Sequence, residues 1–215
     1  MEQAWILWGH HGDGHSDKIA KEGDRGFFFY DEMMWRHIEP FRKFVFESHV
    51  PDLVKALLQS ETLIFYYDFL LIKTPGCYSG ETPWHQDQGL WGYPLPTAVS
   101  IWTSLDPCTR ENGCLQFWRG SHRAGTKEHI FLEGAIHKHL REEDVIRDEV
   151  EYIEMVPGDA VFFGGNVWHK SDPNTSRQRR LGVVAVYANH DEFESGIANS
   201  DWNPRRHAYW VCRET

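Results

Sequence analysis

The stretch "TLIFYYDFLLIK" (residues 62–73) is made almost wholly of β-branched, aromatic and long aliphatic side chains, and it opens a region where the pattern turns to period two. The runs "TAVSIWTSLD" (97–106), "GCLQFWRGSH" (113–122), "YIEMVPGDAVFFGG" (152–165) and "RLGVVAVYAN" (180–189) follow it, each short and bounded by Pro, Gly or Asn turns. Strands in this succession, without intervening helices, predict an antiparallel sandwich or jelly roll and argue against a parallel sheet. Working outward, residues 31–60 carry helical spacing on both sides of a break at Pro51. Asp52 lies in the first turn and Leu53, Leu57 and Leu58 form a stripe, so two helices are predicted. The Gly- and His-rich "GHHGDGHSDK" (9–18) reads as a loop, and Lys127–Glu149 as a polar surface insertion of the kind that forms lids. No repeat or linker divides the 215 residues. One domain is expected, with 1–60 as mostly loop and helical flank, 61–190 as the core and 191–215 as a C-terminal extension.

Composition narrows the function classes. The hydrophobic fraction of 41% and charged fraction of 25% are those of a globular chain, whereas 10 Trp and 13 Phe suit a wide core with an aromatic-lined pocket. A net charge of −10, from 22 Lys and Arg against 32 Asp and Glu, opposes a nucleic-acid partner. No apolar run reaches the roughly 20 residues of a membrane span, and the first residues lack the basic start and cleavage site of a signal peptide, so a soluble cytoplasmic protein is expected. Cys77, Cys108, Cys114 and Cys212 form no Cys-x-x-Cys pair, which predicts free, partly buried thiols.

The chemistry begins at "TPWHQDQGLWGYP" (82–94). In an extended strand His85 and Asp87 point to one face and Gln86 to the other, which puts two metal-capable groups together. A third ligand has to come from another strand, and "PGDAVFFGGNVWHKSDPNTSRQRRLGVV" (157–184) supplies His169 at a strand end. Two His and one carboxylate on one face leave open positions on a metal, the arrangement suited to non-haem Fe(II). A 2-oxo acid takes two of them and needs a fixed cation for its remote carboxylate. Arg180, eleven residues after His169, is the candidate, with Arg179 as the alternate if the register slips by one. Gly182, two residues on, leaves room on the same face beside the metal.

"TPWHQD", "RENGCLQFWRGSHRAG", "VPGDAVFFGG" and the segment from His169 to Arg180 resemble the phytanoyl-CoA dioxygenase family of Fe(II)/2-oxoglutarate-dependent oxygenases, over about residues 61–190 and more weakly across "RGFFFYDEMMWRHIEPFRKFVF" (25–46). The resemblance implies a mainly β fold with flanking helices, a double-stranded β-helix of the cupin-like jelly-roll type. It implies Fe(II) held by His85, Asp87 and His169, 2-oxoglutarate held by Arg180, and O2 as the other co-substrate. Trp102 matches a position beside the co-substrate in the family, with core packing as its other reading. Tyr67 and Lys73 are candidates for the same cavity, and Gln86, Trp91, Tyr93 and Trp202 for the substrate pocket. A carboxylate at Asp87 favours hydroxylation over halogenation. Relatives usually carry several dozen more N-terminal residues, and a homodimer is one expected cover for the core left open here. The reading is a dioxygenase that hydroxylates a small organic substrate while 2-oxoglutarate becomes succinate and CO2. A cupin-like metalloenzyme that uses no 2-oxo acid, and a non-catalytic binding protein, are the alternatives.

Overall fold

A computed structural model describes residues 16–91, 95, 97–127, 147–198 and 209–211. In chain order the elements are β1 (Ser16–Ile19), β2 (Phe28–Glu32), α1 (Glu39–Glu47), α2 (Val50–Leu58), β3 (Leu63–Lys73), β4 (Thr82–His85), β5 (Val99–Ser104), β6 (Leu115–Trp118), β7 (Val150–Ile153), β8 (Ala160–Gly164), β9 (His169–Ser171), β10 (Arg180–Asn189), α3 (His190–Ala198) and β11 (Tyr209–Val211). The major sheet runs β1-β2-β3-β10-β5-β8 with β11 beside the start of β3, and the minor sheet runs β4-β9-β6-β7. Every pairing is antiparallel. From β3 to β10 the chain alternates between the sheets, crossing to the minor one for β4, back for β5, over for β6 and β7, back for β8, over for β9 and back for β10. This winding is the double-stranded β-helix expected from the runs that open at residue 62.

Helices α1 and α2 cover the outer face of the major sheet. Val45 and Val54 pack on Leu63, Phe65, Ile101, Ala185 and Tyr187, while Phe41 and Ile38 pack on Phe29, Leu70, Ile72, Leu181 and Val183. The break between α1 and α2 falls at Ser48 and His49, because Pro51 sits in the first turn of α2, where its missing N–H has no partner to lose. The inner face of the major sheet and the minor sheet enclose the second core, which includes Trp102, Leu115, Phe117, Val184 and Val186.

A β-bulge interrupts β3. Phe65 is paired with Tyr187 and Tyr67 with Val186, so Tyr66 is the extra residue and the side-chain phase changes there. Leu63 and Phe65 face the helices, whereas Tyr67, Phe69 and Leu71 face inward.

The structure adds strands to both flanks of the core. Residues 1–60 are more than loop and helix, since β1 and β2 extend the major sheet and Ser16–Lys18 lie in β1. Main-chain pairing with β2 sets the structure there, not the Gly- and His-rich composition. Residues 191–215 are likewise more than an extension, because β11 adds a strand against β3. Of the predicted insertion, only Lys127 and the turn Arg147–Glu149 lie among the described residues. Cys77, Cys108 and Cys114 are buried free thiols, and Cys212 lies outside the described residues. No helix among the described residues is long and apolar enough to cross a membrane.

Candidate metal centre and active site

His85 closes β4, Gln86 remains extended, and Asp87 begins a short 3-10 turn, so the strand alternation carries one residue past the strand's end. His169 opens β9 and is the register partner of His85. Their Nε2 atoms both lie 3.5 Å from Asp87 Oδ1, and the three potential ligand atoms all lie within 4.8 Å of one another. The supporting contacts fix each group. His85 Nδ1 donates to the Pro83 carbonyl (2.8 Å) and His169 Nδ1 to the Val167 carbonyl (3.0 Å), which leaves both Nε2 atoms facing the shared point. Ser100 Oγ donates to Asp87 Oδ2 at 2.6 Å. Burial opposes the Asp87 charge, but His169, His85 and the Ser100 hydroxyl outweigh it and hold the carboxyl at about 2. The donor set, two imidazoles and one carboxylate on one side of a cavity, fits a divalent iron.

The inner face of the major sheet runs away from this point in register rows. Tyr67, Val186 and Ser100 form the row beneath Asp87, followed by Phe69, Val184 and Trp102, then Leu71, Gly182 and Ser104, and finally Lys73 with Arg180. Arg180 is only 1% exposed. Its Nη1 donates to the Gly113 carbonyl (3.1 Å) and weakly to Ser171 Oγ (3.4 Å), and its guanidinium lies over the Trp102 ring at 5.1 Å. Lys73 Nζ donates to Ser171 O (2.9 Å), Ser171 Oγ (2.6 Å) and Asp172 O (2.8 Å). Burial pushes both cations toward neutrality, and Arg180 adds to that push on Lys73. Among the described residues neither has a carboxylate at ion-pair distance. Arg180 Nε and Trp102 Nε1 are buried donors without an acceptor. A buried guanidinium with spare donors is costly unless an anion completes it, so this end of the site fits a carboxylate.

The sequence-predicted residues fall into distinct places. His85, Asp87, His169, Tyr67, Trp91 and Trp102 line one cavity of about 420 Å³. Trp91 is buried, and its Nε1 donates to Tyr67 Oη at 3.0 Å. Arg179 is turned outward and forms a two-pronged ion pair with Asp106 (2.7 and 2.9 Å), which removes it as the alternate to Arg180. Gln86 is not on the cavity wall. It points to the opposite face, where Nε2 donates to Gly125 O and Asn166 O and Oε1 accepts from Lys127 N, so it ties loops together. Lys73 lies behind the cavity wall, beside Arg180. Gly182 leaves no open room beside the metal point, because a Cβ there would run into the Trp102 indole; the glycine makes space for that ring. Tyr93 and Trp202 lie outside the described residues.

Sequence reasoning missed Ser100, and it missed β2, whose Phe28, Tyr30 and Glu32 line the cavity. Ser100 was within reach of a parity argument, being two residues from Trp102 on one strand. For β2 the only signal was the alternation in "FFYDE".

Fold and site together define the class, a double-stranded β-helix of the Fe(II)/2-oxoglutarate-dependent oxygenase superfamily. A sequence model of the family described as phytanoyl-CoA dioxygenase (PhyH) matches residues 16–182, and the chain belongs to that family. The dioxygenase lolE1 of Epichloe uncinata is 29% identical over 191 residues, covering 86% of this chain and 70% of its own. The methylphosphonate hydroxylase of Gimesia maris is 31% identical over 146 residues, covering 68% of this chain and 53% of its own. The chain spans about half the length of most of the curated relatives it matches. Among solved structures, EvdO2 from Micromonospora carbonacea var. aurantiaca complexed with 2-oxoglutarate superposes with a TM-score of 0.64 at 25% identity, covering 81% of this chain and 76% of that one.

Proposed function

We propose that this chain is an Fe(II)- and 2-oxoglutarate-dependent dioxygenase that hydroxylates a small organic substrate, with His85, Asp87 and His169 as iron ligands and Arg180 as the anchor of the remote carboxylate. The observation that carries the reading is the pairing of a converging two-His, one-Asp set with a buried, incompletely satisfied Arg180 on the same inner face. Iron with a chelated 2-oxo acid and O2 supplies the oxidation, in which 2-oxoglutarate yields succinate and CO2 and one oxygen atom enters a C–H bond.

The chain's own residues bind, orient and exclude water. Pro83 and Val167 carbonyls hold the two imidazoles in the metal-binding tautomer, and Ser100 holds the carboxylate. Arg180, backed by Lys73, fixes the far end of the co-substrate, and the Trp102 indole flanks the path between the two ends. Phe28, Phe69, Leu71, Trp91 and Phe163 keep the cavity dry, while Thr82, Tyr30 and Glu32 give it polar points for a small, partly polar molecule.

The test is turnover of 2-oxoglutarate to succinate by iron-loaded protein, followed with O2 uptake. Wild type is expected to produce succinate only with Fe(II) and 2-oxoglutarate present, His169→Ala to abolish it, and Arg180→Ala to raise the required 2-oxoglutarate by about tenfold or more. Iron binding without any succinate would overturn the reading in favour of a cupin-like enzyme that needs no 2-oxo acid.

A further inference from the structure

We propose that Tyr67 donates a hydrogen bond to the metal-chelating end of the bound 2-oxo acid, with Trp91 holding the phenol in the donating orientation. This assignment rests on the oxygenase reading above and gives a definite contact to Tyr67, which the sequence offered as a candidate for lining the co-substrate cavity.

Three observations converge. The first is direction. The β-bulge at Tyr66 shifts the phase of β3, so Tyr67 points inward and lines the cavity together with His85, Asp87 and His169. Bulges beside functional sites often serve to re-aim one side chain in this way.

The second is hydrogen-bond valence. An indole N–H can only donate, so the contact from Trp91 Nε1 at 3.0 Å makes Tyr67 Oη the acceptor. The phenolic proton must then go elsewhere, and among the described residues nothing accepts it. Burial, then the nearby Asp87 charge, raises the phenol's pKa well above its ordinary value, which keeps that proton on Tyr67. Trp91 has little freedom to release its grip. It lies four residues after Asp87, is buried, and packs so closely on Gly165 that a Cβ there would strike its ring.

The third is position along the sheet. Tyr67 shares a register row with Ser100, the partner of Asp87, whereas the Arg180 side chain starts six residues along β3 and its guanidinium reaches back only to the Trp102 ring, one row beyond. The phenol therefore stands at the metal end of the co-substrate path, with the Trp102 row between it and the Arg180 guanidinium. A 2-oxo acid presents carboxylate and keto oxygens at that end, and both accept hydrogen bonds.

The experiment is an anaerobic titration of Fe(II)-loaded protein, followed by the visible charge-transfer band of the chelate. Two acids are compared: 2-oxoglutarate, and 2-oxobutanoate, which has the same chelating end and no remote carboxylate. Tyr67→Phe is expected to weaken both acids by a similar factor, about tenfold, and to shift the band, with Fe(II) affinity unchanged. Arg180→Ala is expected to weaken 2-oxoglutarate alone. Trp91→Phe, which keeps a ring but loses the donor, should move both acids in the same direction as Tyr67→Phe and by less, and it serves if Tyr67→Phe does not fold. An effect of Tyr67→Phe on 2-oxoglutarate but not on 2-oxobutanoate would place the contact at the remote end and overturn the assignment. No effect on either, or a parallel loss of Fe(II) affinity, would also overturn it. A wild type that binds Fe(II) and shows no band with either acid would instead sink the oxygenase reading itself.

Discussion

Asp87 divides its two oxygens between two tasks: Oδ1 faces both imidazole Nε2 atoms, and Oδ2 is occupied by the Ser100 hydroxyl. Without that hydroxyl the carboxylate is free to rotate, and the buried Oδ2 loses the donor that holds it. Ser100→Ala is therefore expected to weaken Fe(II) binding by about 10- to 100-fold while leaving the fold intact, which metal titration beside circular dichroism would check. The proposed metal ligands were legible in the sequence because their pattern is short-range: His85 and Asp87 are two apart and His169 stands five residues after the recognisable run that becomes β8. The choice between Arg179 and Arg180 was not, because neighbouring residues of one strand face opposite ways and only the register decides. In the folded chain Asp106 claims Arg179 on the outside. Strand alternation already set Gln86 on the face opposite the ligands; the family resemblance made it a pocket candidate, and in the fold it ties loops together.

β3 shows how an element can carry two functions on one strand. Behind the cavity, Asp68 points toward the helices, fully buried, and its Oδ2 accepts the Trp35 N–H (3.1 Å) while its carbonyl accepts the Met33 N–H. Those bonds anchor the turn Met34–Arg36, and Met33, held in the left-handed region at φ 57°, lines the cavity. Burial first, with Asp31 adding to it against the backbone donors, raises the Asp68 carboxyl from 3.8 to about 8. The native chain then holds a proton that the unfolded chain releases. Its stabilising contribution is complete below about pH 4 and declines as pH rises through about 8. Asp68→Asn is expected to flatten the fall in melting temperature between pH 5 and pH 9, and an unchanged slope would show that another group causes it. The bulge that separates the two phases of β3 was invisible in "TLIFYYDFLLIK", because an extra residue leaves no mark in a run where every side chain suits a strand. β9 escaped for another reason: a strand of three residues is shorter than the window in which alternation can be recognised.

At the scale of the whole molecule the metal point joins the two sheets. His85 and His169 belong to adjacent strands of the minor sheet, while Asp87 is fastened through Ser100 to the major one. Occupancy therefore stabilises the packing of one sheet on the other. Fe(II) at about 100 times its dissociation constant should add about 2.7 kcal/mol to unfolding stability, and chelation should reverse it. Hydrogen exchange would place the gained protection in β4, β5 and β9 together; protection confined to the minor sheet would contradict the bridge. The jelly roll itself was legible because its strands are long and aromatic where they cross the core, and the runs that open at residue 62 follow the winding in order.

That winding also sets a sequence of events in time. The ligands enter the chain at residues 85, 87 and 169, and the strand that pairs His85 with His169 arrives only after β5 to β8 have been laid down. A nascent or refolding chain has no partial version of this site to offer a metal, since neither half holds more than two ligands in place. Contacts so distant in sequence form slowly and late. Iron uptake is thus a marker that folding is complete, and in a refolding experiment metal binding should trail the recovery of tryptophan burial.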